Sequence, residues 1–309
     1  MSYTLVSGYI NIETLETNNN NNMREQTFMI YKENGQKLIN LPIKKIIFID
    51  YRYIEQFQTN IYTKLISINF EDMEIYKYYK KVLERKMCVL SPNPNKDTAI
   101  YHIIQIAKTE FIKKAIELES ESKSESKSES KSESKSESKS ESESKSESKS
   151  ESESKSESKS ESESKSESKS ESEEHSNIFA WIDFGICKMF SSDVEFQYLI
   201  SNISKYITMD TLKHDMVKIP GCWKLNSSDI NNDFTRVNWY FCGGFFIGYK
   251  NVLLEFEKQV KKELTYIIEN ENTLIFEVNI WFRLWRKKYI LFDWYYGDHN
   301  SSMFVNLIN

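Results

Sequence analysis

No run of about 18 consecutive apolar residues occurs in the chain, which excludes a membrane-spanning helix of ordinary length. The first residues, Tyr3-Thr4-Leu5-Val6-Ser7-Gly8-Tyr9-Ile10, lack the basic start and apolar core of a signal peptide. The expectation is a soluble, cytoplasmic protein. Cysteine is scarce: Cys88, Cys187, Cys222 and Cys242 are the four in 309 residues, with no Cys-x-x-Cys spacing. Zinc-finger and dithiol redox motifs therefore find little support, and reduced buried thiols are expected. From Glu119 to Glu174 there is no apolar residue at all, only a Ser-Glu-Ser-Lys repeat. Nothing there offsets the entropy of ordering, so a disordered insertion is expected. Its 18 Glu and 11 Lys give it a net charge of −7, so the rest of a chain of net −5 carries +2. A part so slightly basic, without base-stacking motifs and interleaved arginines, argues against a nucleic-acid partner.

What remains, 1–118 and 175–309, suffices for one α/β domain interrupted in a loop. The central stretch is Ile178-Phe179-Ala180-Trp181-Ile182-Asp183-Phe184-Gly185. The short β-favouring run reads as a strand buried on both faces, as in a parallel sheet. In open α/β sheets ligands bind beyond the carboxyl ends of strands, so Asp183 is a candidate for a metal ion or a ribose hydroxyl. Gly185 would permit close approach. Asp183-Phe184-Gly185 also spells the kinase magnesium motif, but the chain has no glycine-rich loop, Val-Ala-Ile-Lys strand or His-Arg-Asp loop.

Further strands are expected at Thr4–Ile10, Lys44–Asp50, Thr63–Phe70 and Tyr289–Phe292. Glu71–Arg85 reads as a helix, and Thr27–Tyr31 as ambiguous. Ile100, Ile103, Ile104, Ala107, Phe111, Ala115 and Leu118 keep helical period, which predicts a helix from Asp97 to Leu118 capped by Asp97 or Thr98. Ser192-x-x-Glu195 is a capping box for a helix reaching about Ile207. Lys213–Lys224 reads as irregular, and Asn251–Ile268 as an amphipathic helix. The Gly243-Gly244 pair interrupts a strand-like aromatic run, which suits either a bulge or a backbone approached by ligand. A helix capped at Thr273 would place Glu277 on the apolar stripe of Leu274, Val278, Trp281 and Trp285. A carboxylate there should have a raised pKa and suit proton abstraction. Asp298-His299, after the last strand, could reach back toward Asp183 and hold a divalent cation.

Lys96-Asp97-Thr98, Phe179-Ala180-Trp181-Ile182-Asp183-Phe184-Gly185, Gly243-Gly244-Phe245-Phe246, Glu277-Val278-Asn279-Ile280-Trp281 and Asp298-His299-Asn300 occur in this order. Together the set resembles the HtrL/YibB-like glycosyltransferase family, over nearly the whole chain outside the repeat. The resemblance implies a GT-A-like nucleotide-sugar-binding domain, with a central mixed, mostly parallel sheet flanked by helices. It implies transfer of a sugar from a nucleoside-diphosphate sugar to a glycan or other hydroxyl acceptor. Asp183 takes the first position of that fold's Asp-x-Asp metal motif, while Gly185 stands at the second. His299 would complete a manganese or magnesium site with Asp183. Gly243 and Gly244 would lie against donor sugar or acceptor, and Glu277 near the acceptor as general base if the enzyme inverts. Lys96, Asp97 and Lys108 would contact the nucleotide. The lost second acid also fits a catalytically degenerate nucleotide-sugar or glycan-binding protein.

Overall fold

The computed structural model describes residues 2–12, 21–91, 98–136, 177–209, 211–224 and 233–308. The order is β1 (Tyr3–Tyr9), α1 (Asn21–Asn40), β2 (Lys45–Asp50), β3 (Thr63–Ile68), α2 (Tyr76–Glu84), β4 (Cys88–Val89), α3 (Ala99–Ile106), α4 (Lys108–Ser136), β5 (Ile178–Ile182), α5 (Asp193–Thr208), β6 (Val217–Gly221), β7 (Phe245–Tyr249), α6 (Lys250–Asn270), β8 (Thr273–Leu274), α7 (Glu277–Arg286), β9 (Phe292–Tyr296) and α8 (Ser302–Val305). By contacts the chain divides into 1–118 with 175–309, and 119–174. The helix expected to stop at Leu118 continues to Ser136, past the start of the repeat. The remainder of the stretch expected to be disordered lies outside the described residues, as do Lys96, Asp97 and Asn18–Asn20. Among the described residues no helix is long and apolar enough to cross a membrane.

The fold is α/β, with a mostly parallel central sheet covered by helices. Seven strands lie in the order β3-β2-β1-β5-β7-β6-β9. β1 is parallel to β2 and β5, β2 to β3, and β6 to β9. β7 is antiparallel to both its neighbours. Six strands therefore run in one direction and deliver their carboxyl ends to one edge. The order reverses between β1 and β5, which makes their carboxyl ends the topological switch point.

The central strands are largely apolar because both faces are covered. Val6, Ile46, Phe48, Phe179, Trp181 and Phe246 pack into a core with α3, α4, α6 and α7. Their alternates Leu5, Ile47, Ile49, Ile178, Ala180, Ile182, Phe245 and Ile247 pack into a second core with α1, α5 and α8. A period of two along each strand thus feeds two separate layers. Thr4, Ser7, Lys45 and Asp50 are buried polar residues within these strands, and Lys45 stands at the start of β2. Its ammonium donates to the Ile39 and Leu41 carbonyls and to Thr63 Oγ1, so it satisfies carbonyls at the end of α1. Burial brings its pKa down to about 8.

Several expected elements are corrected. The ambiguous segment at Thr27 lies within α1. The helix after β3 begins at Tyr76, preceded by a 3-10 turn over Phe70–Asp72. The helix around His102 breaks at Ala107, where the backbone leaves α3 and restarts as α4; Thr98 is its cap, accepting from the Tyr101 amide. The segment read as irregular contains β6. Thr273 is not a cap but part of β8, paired with β4, and α7 starts at Glu277. The last strand lies downstream of its expected place, at Phe292–Tyr296. Half of the capping box forms: Ser192 Oγ accepts from the Glu195 amide, while the Glu195 carboxylate turns to Ser191 instead.

Candidate active site and metal-ligand cluster

The sheet's carboxyl edge gathers polar groups from distant parts of the chain. Asp183 follows β5, and its amide donates to the Gly244 carbonyl at 3.0 Å, which carries the β5–β7 pairing one step past the strand. Its Oδ1 accepts from Trp181 Nε1 at 2.8 Å. The same oxygen is 3.2 Å from Lys108 Nζ. Lys108 is the first residue of α4, immediately after the break at Ala107. The break turns its side chain inward, where Nζ also reaches Glu277 Oε1 at 3.1 Å and the Gly243 carbonyl at 2.9 Å. One ammonium thus bridges two carboxylates that lie 94 positions apart in the sequence.

The lysine and Glu277 are buried, whereas the Asp183 side chain is 36% exposed. Burial works to lower the Lys108 pKa, but the charges of Asp183 and Glu277 outweigh it and hold the group above the ordinary lysine value. Glu277 opens α7, where a carboxylate interacts favourably with the helix dipole. Its setting is not the purely apolar stripe expected, because a cation stands beside it. Its second oxygen, Oε2, is buried and has no hydrogen-bond partner. A buried carboxylate oxygen without a donor costs free energy.

Gly243 is explained by this arrangement. A Cβ there would lie 2.3 Å from Glu277 Oε1 and 2.9 Å from Lys108 Nζ. The close approach expected of this glycine is thus made by the protein's own ion pair. At Gly244 a Cβ would come within 3.1 Å of Met303. Gly185 has an ordinary φ of −92°, and a Cβ there would be 2.8 Å from the Tyr31 ring.

His299 stands in a different group. Cys222 follows β6, Cys242 precedes β7, and Asp298 and His299 follow β9. Their ligating atoms all lie within 4.8 Å of one another, so these four residues are a group able to hold a metal ion. Spacing along the sequence pointed to Asp298-His299 but not to the two cysteines, because the ligands come from the ends of three neighbouring strands. The available signal was the pairing of each cysteine with glycine beside an apolar run, Pro220-Gly221-Cys222 and Cys242-Gly243-Gly244. Hydrogen bonding from Cys242 lowers the Cys222 pKa, against the effect of burial and with help from His299. The same bond, with burial, pushes Cys242 up. His299 is raised, chiefly by its contact with Cys222, and Asp298 is lowered by the His299 amide and by Cys222.

Asp183 is outside that group, its carboxylate being occupied by Lys108 and Trp181. Manganese and magnesium favour sets of oxygen ligands, whereas His299 is accompanied by two sulfurs. The residues present therefore do not fit the expected Asp183–His299 site for those ions. The two groups are nonetheless adjacent: Cys242 carries one of them and the next residue, Gly243, accepts from Lys108 in the other. Toward the switch point a further acid, Asp50 at the end of β2, is buried and accepts from the Asn11 amide and from Arg52. Sequence reading noted this strand-terminal acid without assigning it a role.

The chain matches no protein-family model, no curated protein and no solved structure.

Proposed function

We propose that the protein is a glycosyltransferase of GT-A-like fold, acting in the cytoplasm, that moves a sugar from a nucleoside-diphosphate sugar to a hydroxyl of a glycan or other acceptor. The observation that carries this reading is the unpartnered, buried Oε2 of Glu277, beside Asp183 at the ligand edge of an open α/β sheet. In this reading the site opens enough for the acceptor hydroxyl to donate to Oε2, which is shielded from solvent in the structure. As its oxygen bonds to the anomeric carbon, the proton passes to Glu277 and the bond to the diphosphate oxygen breaks, with its electron pair leaving on the diphosphate. Lys108 holds both carboxylates in place, and Trp181 donates to the same Asp183 oxygen that Lys108 approaches. The donor would lie against the β1–β5 switch point, where Asn11, Asp50 and Asp183 meet the edge.

The test is donor hydrolysis and transfer with the wild type, Asp183→Ala and Glu277→Gln, each with and without Mn²⁺. Loss of turnover in both variants supports the reading, and equal turnover in all three overturns it. A second reading is a nucleotide-sugar or glycan-binding protein without turnover. It is favoured by one observation, that a single ammonium occupies both acids while Gly185 replaces the second acid of the motif. Calorimetric binding of a nucleotide sugar by a wild type that does not turn it over would select it.

A further inference from the structure

We infer that Cys222, Cys242, Asp298 and His299 form a zinc site that ties together the ends of β6, β7 and β9. This inference stands apart from the choice between transfer and binding at the two acids.

The distances carry it. Cys222 Sγ is 3.2 Å from Cys242 Sγ and 3.2 Å from Asp298 Oδ1. Both sulfurs are 3.8 Å from His299 Nδ1, which is 3.2 Å from Asp298 Oδ1. A tetrahedral zinc ion with Zn–S about 2.3 Å and Zn–N or Zn–O about 2.0–2.2 Å requires ligand–ligand edges of roughly 3.3–3.8 Å. The two sulfur–nitrogen edges of 3.8 Å lie at the top of that range and the three edges of 3.2 Å just below it, so an ion would spread the two sulfurs by about 0.5 Å. Two sulfurs, one imidazole nitrogen and one carboxylate oxygen also form the mixed set that zinc accepts and that magnesium, calcium and manganese do not favour.

The ligands are positioned by backbone bonds that need no metal. The Cys242 amide donates to the Pro220 carbonyl at 2.8 Å, and the Cys222 amide to Trp239 at 3.1 Å. The Gly297 amide donates to Gly221 at 3.0 Å, which sets the start of the Asp298-His299 turn beside Cys222. Ser302 Oγ accepts from the Asp298 amide at 3.0 Å, and the Trp239 ring meets the His299 ring edge-on at 4.6 Å. Cys242 is buried, whereas Asp298 and His299 are 43% and 45% exposed. An ion thus has a path in from the side of those two residues. Bound there, zinc would take up both sulfurs as thiolates and release their protons.

The experiment uses the full chain, reduced and stripped of metal, then given Zn²⁺ or Co²⁺ alone. Co²⁺ should produce a thiolate-to-cobalt charge-transfer band at one equivalent in the wild type and in Cys88→Ser, whose cysteine lies elsewhere. Zn²⁺ should bleach that band and raise the melting temperature of both. Supporting groups alone are worth roughly 10–100-fold in metal affinity, so Cys222→Ser and His299→Ala should weaken zinc binding by more than about 10-fold. The wild-type cobalt spectrum decides the matter even if a variant fails to fold. Absence of the band overturns the site, as does an equal zinc-induced stabilisation in Cys222→Ser and His299→Ala. A Cys222–Cys242 disulfide in protein freshly isolated without oxidant would overturn it too.

Discussion

A methyl group on Gly243 would sit 2.3 Å from Oε1 of Glu277. The missing side chain is what lets the Glu277–Lys108 pair close over the entry to β7. Gly243→Ala should therefore displace the pair rather than merely stiffen the backbone. Overpacking of this kind costs about 1–3 kcal/mol. Urea denaturation is the check, and a loss below about 0.5 kcal/mol would show that the pair can shift freely.

Removing the cation should cost more. Lys108→Met leaves Glu277 buried beside Asp183 with no counter-charge, and breaking a buried pair from one side costs roughly 3–5 kcal/mol. Adding Glu277→Gln removes the stranded charge and should recover part of the loss, a coupling of about 0.5–3 kcal/mol in a double-mutant cycle. The Lys108 pKa is raised in the folded protein, so its contribution is complete below the ordinary lysine pKa and is lost only as the pH climbs past the raised value. The wild type's advantage over Lys108→Met should accordingly be undiminished from neutral pH up to about pH 10, the unfolded lysine range.

Asn279, inside the motif that begins at Glu277, is fully buried and has a structural task. Its Oδ1 accepts from the Asn238 amide at 2.8 Å, and its Nδ2 donates to the Asp233 carbonyl at 2.6 Å and the Arg236 carbonyl at 2.8 Å. It thereby fastens the segment leading to Cys242 and Gly243 onto α7. Asn279→Ala orphans these backbone groups, at about 1–3 kcal/mol for each that water cannot reach. Thermal unfolding should show the drop, and amide exchange at Asn238 should accelerate; unchanged protection there would remove the fastening role.

Glu74 supplies an acid-range test. Hydrogen bonds from Lys261 and Lys77 hold its carboxyl down to about 2 from 4.5. A carboxylate with a depressed folded pKa stabilises above its unfolded value, and that stabilisation disappears as pH falls from 4.5 toward 2. Between those limits the wild type should lose melting temperature faster than Glu74→Gln. Parallel curves for the two proteins would show that the half-exposed pair is screened out.

The strands read most readily from sequence were those whose burial is written in consecutive residues, such as Ile46–Ile49 and Ile178–Ile182. β6 escaped because Pro220-Gly221 looks like a turn. Pro220 is tolerated there because the only β6–β7 register pair is Lys218 with Ile247, and its partner toward β9 is Tyr295. β9 lay downstream of its expected place because Leu291, an apolar residue in the expected strand, is 46% exposed while Tyr295 is buried. At the site, Asp183 was legible as an acid closing a buried strand. Lys108 was expected to meet a nucleotide; its actual partners, 75 and 169 positions away, leave no local trace. The two cysteines were set aside by a spacing rule that holds for ligands on one turn or hairpin, not for ligands on adjoining strand ends.

The edge that carries these groups is assembled from Asn11 at one extreme and His299 at the other, with β9 as its outermost strand. On the ribosome, the chain from β1 through His299 must emerge before the carboxylates, the thiols and the imidazole can meet. A nascent chain halted before Phe292 would be able to lay down β1, β2 and β5 yet would lack Asp298 and His299. Assembly of this surface is therefore a late event in biosynthesis, and a product terminated before β9 would hold the two thiols without their carboxylate and imidazole neighbours.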